Sequence, residues 1–310
     1  MNRKILLLYI TFFIPVITFA ASSRIWKGFR YELIFGLGST SFFGELGGAN
    51  QFGTHAFRDL DWRGTREANT YGIRYRLNEM NSIRTNLSYG RLKGDDKWTQ
   101  EFYRHNRNLN FKSIIWEYTL VFEKTFMKEQ IGRKYRLHGL RGHRGYEIYY
   151  NLFAGIGVFH FQPKGYDDSN KKRWYKLQPL HTEGQDYLSP TRKHYHRVAL
   201  CIPMGLALKY QIKKKWVIGL EYGLRYTFTD YIDDVSTTYV DNKILIENHK
   251  DDPEKQILAV KLSNRALEKN NSLTGPGAQR GDPRFLDAYL FSLITISYKL
   301  KTTQSNLPKF

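Results

Sequence analysis

The residues best suited to chemistry gather late in the chain. Asp230, Asp233, Asp234 and Asp241 place four carboxylates within a dozen residues, with Ser236, Thr237 and Thr238 among them. Oxygen donors at this density could chelate Ca²⁺, which takes six to eight such ligands. The spacing lacks the DxDxDG run and distant Glu of an EF-hand loop. A structural cap, with the carboxylates pairing loop arginines, is the preferred reading, and no metal is assigned. A second group is His160, His181, His194 and His196, with Ser189 and Ser236. A Ser or His at a membrane edge could attack lipid esters, so a lipid A-modifying enzyme is the alternative. No GxSxG, HExxH or paired CxxC supports it, so no catalytic residue and no cofactor is assigned. FFGELGG at 42–48 is glycine-dense but matches neither GxxxxGK[ST] nor GxGxxG. Tight backbone packing in a loop accounts for it. The single Cys201 excludes an intramolecular disulfide and reads as a buried, inert thiol.

The elements that must position these groups are strands. In KWVIGLEYGLRYTFTD at 215–230, Trp216, Ile218, Leu220, Tyr222, Leu224, Tyr226 and Phe228 share one parity. Gly219, Glu221, Gly223, Arg225 and Thr227 take the other. A two-residue period sends successive side chains to opposite faces of a sheet. An aromatic, apolar face opposite a small, charged one suits lipid on one side and a packed lumen on the other. Comparable alternation recurs at 30–39, 69–78, 82–92, 109–124, 146–161, 196–211 and 285–300. The eighth puts Leu290, Ile294, Ile296, Tyr298 and Leu300 outward. The expectation is an all-β fold: an eight-stranded antiparallel transmembrane β-barrel with long extracellular loops. Pro203 cannot donate to a ladder, which predicts a local bulge or kink.

Eight strands leave an interior that side chains just fill. The inward faces supply Arg30, Glu32, Arg74, Arg76, Arg84, Glu117, Glu123, Glu147, Arg197, Lys209, Glu221 and Arg225. Unpaired buried charges cost several kcal/mol each, so these predict a paired network and a plugged cylinder rather than a narrow solute channel. With the N-terminus periplasmic, the connections 40–68, 93–108, 162–195 and 230–284 face outward and are long. Those at 79–81 and 212–214 are tight. The remaining periplasmic connection, 125–145, is long and basic, with Lys128, Arg133, Lys134, Arg136, Arg141 and Arg144. It reads either as a solvated loop or as a docking surface for an acidic partner or inner-leaflet headgroups.

Residues 1–21 read as a signal peptide: Arg3 and Lys4, an apolar stretch, then Ala20-Ala21-Ser22. The barrel is expected over 22–300 and a periplasmic tail over 301–310. Without Arg3 and Lys4 the chain keeps 46 basic against 29 acidic residues. In an exported barrel that excess points to lipopolysaccharide, anionic lipid or an acidic protein rather than nucleic acid.

Several motifs resemble a known family. They are FFGELGG (42–48), YGIRYRL (71–77), NLSYGRLKGDD (86–96), RNLNFKSIIWE (107–117) and NLFAGIGVFHFQPK (151–164). WYKLQPLHTEGQ (174–185), IPMGLALKY (202–210) and LEYGLRYTFTDYIDDVSTTYVD (220–241) continue the series. Together they resemble the PorG-like outer-membrane barrels of Bacteroidota, associated with type IX protein secretion. The resemblance implies an outer-membrane location and a non-enzymatic accessory role. It also implies contact with the periplasmic PorK/PorN ring through the periplasmic connections and the tail.

Overall fold

The computed structural model describes residues 24–46, 63–127, 148–168, 172–188, 192–213, 215–268 and 271–301. Eight strands close into an antiparallel barrel: β1 (Tyr31–Phe43), β2 (Arg66–Arg76), β3 (Asn81–Asp95), β4 (Asn110–Thr125), β5 (Ile148–Asp167), β7 (Val198–Gln211), β8 (Trp216–Thr227) and β9 (Ala288–Leu300). β6 (Arg173–Lys176) is a short strand that extends β5 beyond the barrel rim. β1 pairs with β9 and β4 with β5, so every barrel strand has two neighbours. Closure leaves no ladder edge to be satisfied in an apolar medium.

The alternation seen in the sequence is the alternation of the wall. Outward residues such as Leu220 and Ile156 are 44% and 69% exposed, while their inward neighbours Glu221 and Gly157 are buried. This apolar exterior is that of an outer-membrane-type barrel. Aromatic pairs ring it at both ends: Tyr31–Tyr75 and Trp216–Tyr298 near the tight turns, Tyr89–Trp116 near the long connections. The tight turns close locally. Leu77 N donates to Asn81 O at 3.0 Å, and Ile212 N donates to Trp216 O at 3.1 Å.

The structure departs from the sequence expectations in several places. No residue is inserted at Pro203. The β5–β7 ladder runs Ala154–Met204 and resumes at Gly157–Cys201 in the same register, so the ladder opens opposite the proline without a bulge. β5 runs past its expected end to Asp167, and the connection after it holds β6, which is too short to show a period. The 230–284 connection contains the helices Asn242–Asn248 and Pro253–Ser263, N-capped by Asp241 and Asp252. Leu290 keeps its outward parity but is buried, because Phe43 and Ala288 cover it with help from Leu224.

Two residues expected in the lumen lie elsewhere. Arg30 precedes β1; its guanidinium donates to Tyr75 Oη at 2.8 Å and stands 5.2 Å from the Trp26 ring, among the outward aromatics. Arg197 precedes β7 and is only partly buried at the rim. Each lies one residue outside its strand, where the period no longer fixes a face. Glu147, the basic residues Lys128, Arg133, Lys134, Arg136, Arg141 and Arg144, the leader 1–21 and the tail beyond 301 lie outside the described residues.

Candidate functional site: a filled lumen beneath a carboxylate cap

The interior is built in layers. Nearest the tight turns is a charge network contributed by β1 to β4 and β7 to β9. Arg74 binds Glu32 at 2.8 Å and Glu123 at 2.6 Å. Arg84 binds Glu123 at 2.9 Å and Glu221 at 2.6 Å. Lys209 reaches Glu123 at 3.2 Å, and Arg76 reaches Glu32 at 3.5 Å. All are buried, so each charge depends on its partners for the solvation it has lost. Lys299, fully buried among them, was missed in the sequence reading although its parity opposite Tyr298 and Leu300 points it inward.

Above lies a second node. Arg225 holds Glu117 at 3.2 Å, and Tyr289 Oη donates to Glu117 at 2.6 Å. Cys201 Sγ stands 4.0 Å from the same carboxylate, buried as expected. Stacked on this node is an apolar plug that includes Phe111, Ile115, Phe159, Phe161, Tyr289 and Phe291. The Arg225 guanidinium lies 4.4 Å from the Phe291 ring. The only hint of this layer in the sequence is that 146–161 is apolar on both faces near its end.

The long connections form a cap on the plug, and several of the motifs quoted above meet there. Arg107 binds Asp96 through two nitrogens at 2.8 and 3.0 Å, and donates to the carbonyls of Glu45 and Arg280 at 2.7 Å each. Glu183 binds Arg280 at 2.8 Å and accepts from Ser236 N at 3.0 Å and Thr237 Oγ1 at 2.6 Å. Asp234, in the left-handed region at φ 68°, accepts from Thr182 Oγ1 and Tyr195 Oη at 2.5 and 2.6 Å. The Arg107–Asp96 and Arg280–Glu183 pairs join residues with no sequence-visible spacing.

The expected acidic cluster divides. Asp233 accepts from Leu46 N at 3.1 Å and Val235 N at 3.0 Å. Asp230 is buried, and among the described residues neither of its oxygens receives a well-formed hydrogen bond. Asp241 stands apart as a helix cap, accepting from Lys243 N at 2.9 Å. In its place the structure brings in Glu45 and Asp287. One oxygen from each of Glu45, Asp233 and Asp287 lies within 4.8 Å of the others. A Cβ on Gly44 would meet Asp287 Oδ1 at 2.3 Å and the Phe42 ring at 2.4 Å, so a larger residue there would displace this carboxylate or that ring. Burial, then the charge of Asp230, pushes Glu45 up to about 8. Burial, with Asp233, Glu183 and Asp282 adding to it and Ser236 opposing, pushes Asp230 up to about 8. Asp233 and Asp287 are also pushed well above the usual carboxylate range, chiefly by burial. An all-oxygen set could hold a hard cation such as Ca²⁺, and shared protons relieve the same repulsion.

The histidines divide: His181 and His194 meet with ring centroids 5.2 Å apart, and His160 and His196 stand away from that pair. His160 sits outward on β5 between Trp116 and Val198, and His196 is exposed. His194 Nδ1 lies 3.4 Å and His181 Nδ1 3.8 Å from Asp186 Oδ2. The Gln178 side-chain amide donates to Tyr195 O at 3.0 Å and faces His194 Nε2 at 2.8 Å. That arrangement leaves the proton on His194 Nδ1 to bind Asp186, which makes this trio a poor metal cage. Among the described residues, no hydrogen bond joins Ser236 to a histidine.

A family profile described as "Domain of unknown function (DUF6089)" matches residues 16–247. No curated protein matches the sequence. Among solved structures, the chain is similar to the N-terminal β-barrel domain of Pseudomonas aeruginosa OprF, at 10% identity and TM-score 0.33, covering 87% of this chain and 98% of that one. It is also similar to Ail, the attachment invasion locus protein of Yersinia pestis, at 10% identity and TM-score 0.36, covering 87% and 99%. Neisserial surface protein A gives 7% identity and TM-score 0.34, covering 87% and 96%.

Proposed function

We propose that this chain, which belongs to the DUF6089 family, is a non-enzymatic outer-membrane barrel that organises a type IX protein secretion complex. The observation that carries the structural role is the filled interior. Charges paired across the lumen, an aromatic plug and a packed cap leave the wall and the two ends as the working surfaces. The type IX assignment is supported by the motifs shared with PorG-like barrels. In this reading the wall contacts lipopolysaccharide and outer-membrane lipids, and the periplasmic end meets PorK/PorN-type ring proteins. The basic residues Lys128, Arg133, Lys134, Arg136, Arg141 and Arg144 are the candidate contact, on charge and topology alone.

Deleting the gene should impair secretion of type IX cargo. Complementation with a His160→Ala, His194→Ala, His196→Ala, Ser236→Ala variant should restore it and leave the lipid A profile unchanged. A lipid A change on deletion that only the wild-type chain reverses would replace this reading with the enzymatic one.

A further inference from the structure

The strand register aligns four lysines that are far apart in sequence. Lys93 on β3 is directly opposite Lys112 on β4, Lys112 opposite Lys164 on β5, and Lys164 opposite Lys176 on β6. Neighbouring strands lie about 4.8 Å apart, so the row spans roughly 14 Å. Like charges directly opposite each other destabilise a sheet, yet here three consecutive strand pairs carry one. Among the described residues, no carboxylate forms an ion pair with any of the four. Glu67, nearby, is taken by Arg91 at 2.8 Å. Asp95 lies along β3 from Lys93, with its Oδ1 accepting from Lys97 N.

The position of the row suits one kind of ligand. The wall is apolar through Leu87, Tyr118 and Val158, then carries Tyr89, Trp116 and His160, then Arg91, Ile114 and Gln162, and then the lysines. A shallow cavity of about 190 Å³ opens here, lined by Arg91, Lys112, Ser113, Ile114, Gln162 and Lys164. Tryptophans flank it: Lys112 Nζ is 4.2 Å from the Trp174 ring and Lys93 Nζ 5.2 Å from the Trp98 ring. The uncompensated charge therefore sits two outward rungs beyond the aromatic girdle, on the cap side of the barrel. A membrane meets the wall there at its headgroups.

We propose that Lys93, Lys112, Lys164 and Lys176, with Arg91, bind the phosphorylated headgroup of lipid A in the outer leaflet. Acyl chains would pack against the apolar rungs below, and phosphate oxygens would take the ammonium donors that lack carboxylates. The inference rests on the outer-membrane reading and locates within it the surface that lipopolysaccharide contacts.

The test uses the full chain refolded into neutral phosphatidylcholine vesicles, with or without bisphosphorylated lipid A. The comparison is the Lys112→Gln, Lys164→Gln variant. Folding is scored by the gel shift between heated and unheated samples. Co-purification with lipid A should fall at least tenfold in the variant and for dephosphorylated lipid A. The variant should also be more resistant to urea than the wild type in plain phosphatidylcholine, and less resistant with lipid A present. A merely structural role would not reverse in this way. Equal binding of phosphorylated and dephosphorylated lipid A, or binding unchanged in the variant, would overturn the inference. Inorganic phosphate that competes at equal concentration would overturn it too, because the site would then be reading a free anion. If the double variant does not fold, Lys176→Gln on the exposed strand β6 replaces it, with the same expectations. Failure of the wild type to insert into any vesicle would instead defeat the outer-membrane reading.

Discussion

Arg84 on β3 and Glu221 on β8 meet across the lumen, with Nη1–Oε2 at 2.6 Å and Nη2–Oε1 at 2.9 Å. Their strands are separated in the sheet by β2, β1 and β9, so the pair braces the barrel across its width. Removing one partner of a buried pair leaves an uncompensated charge, costing about 3–5 kcal/mol. Arg84→Ala should lower urea stability by that amount, because it strands Glu221 and leaves Glu123 with only Arg74 and Lys209. Glu221→Gln should cost less, since Arg84 keeps Glu123 at 2.9 Å. Equal losses in the two variants would contradict this division of the network.

The same packing bears on transport. A lumen filled by paired charges and by Phe111, Phe159 and Phe291 should show no discrete conductance steps in planar bilayers. Regular single-channel openings by the wild-type protein would contradict the plugged interior.

Phe111 lies wholly within that plug, packed edge-on against Phe42 with ring centroids 4.8 Å apart. Phe111→Ala should leave a cavity between barrel and cap, costing about 3–5 kcal/mol. Chemical denaturation of the refolded protein measures it. A loss below about 1 kcal/mol would mean that the plug does not hold the cap in place.

The cap should weaken as pH rises, when a chelator removes divalent cations. Glu45 and Asp230 stand at about 8 in the folded protein, against about 4 when unfolded. Between those values the native state binds more protons than the unfolded one, so stability falls from about pH 4 to about pH 8 and then levels. Limited proteolysis of the cap should accordingly be faster at about pH 8 than at about pH 5. Asp230→Asn should flatten the dependence and protect the cap at the higher pH. A wild-type cap that grows more resistant as pH rises would have the opposite sign.

Much of the barrel was legible because the two-residue period is a local property. Trp216 to Phe228 declare a lipid face without any partner strand being known. The lower lumen followed by subtraction, since charges on the opposite parity have nowhere else to point. The apolar plug did not follow, because Phe159 and Phe161 share a parity that below them carries Asn151 and Gly155. Parity assigns a face, but not what that face meets. The cap was least legible. Arg280 and Glu183 are 97 residues apart, and Asp287 joins Glu45 only because β1 and β9 run side by side. The lysine row was invisible for the same reason: Lys93 and Lys176 join one row through register alone.

The central claim, that this barrel organises a secretion complex from the periplasmic side, is tested most directly by affinity purification from native membranes. The tagged wild-type chain should recover PorK/PorN-type ring proteins. A variant with Arg133, Lys134, Arg136 and Arg141 each changed to Glu should recover several-fold less at equal barrel abundance. Recovery of the barrel without ring proteins, from cells in which the ring is assembled, would contradict the claim.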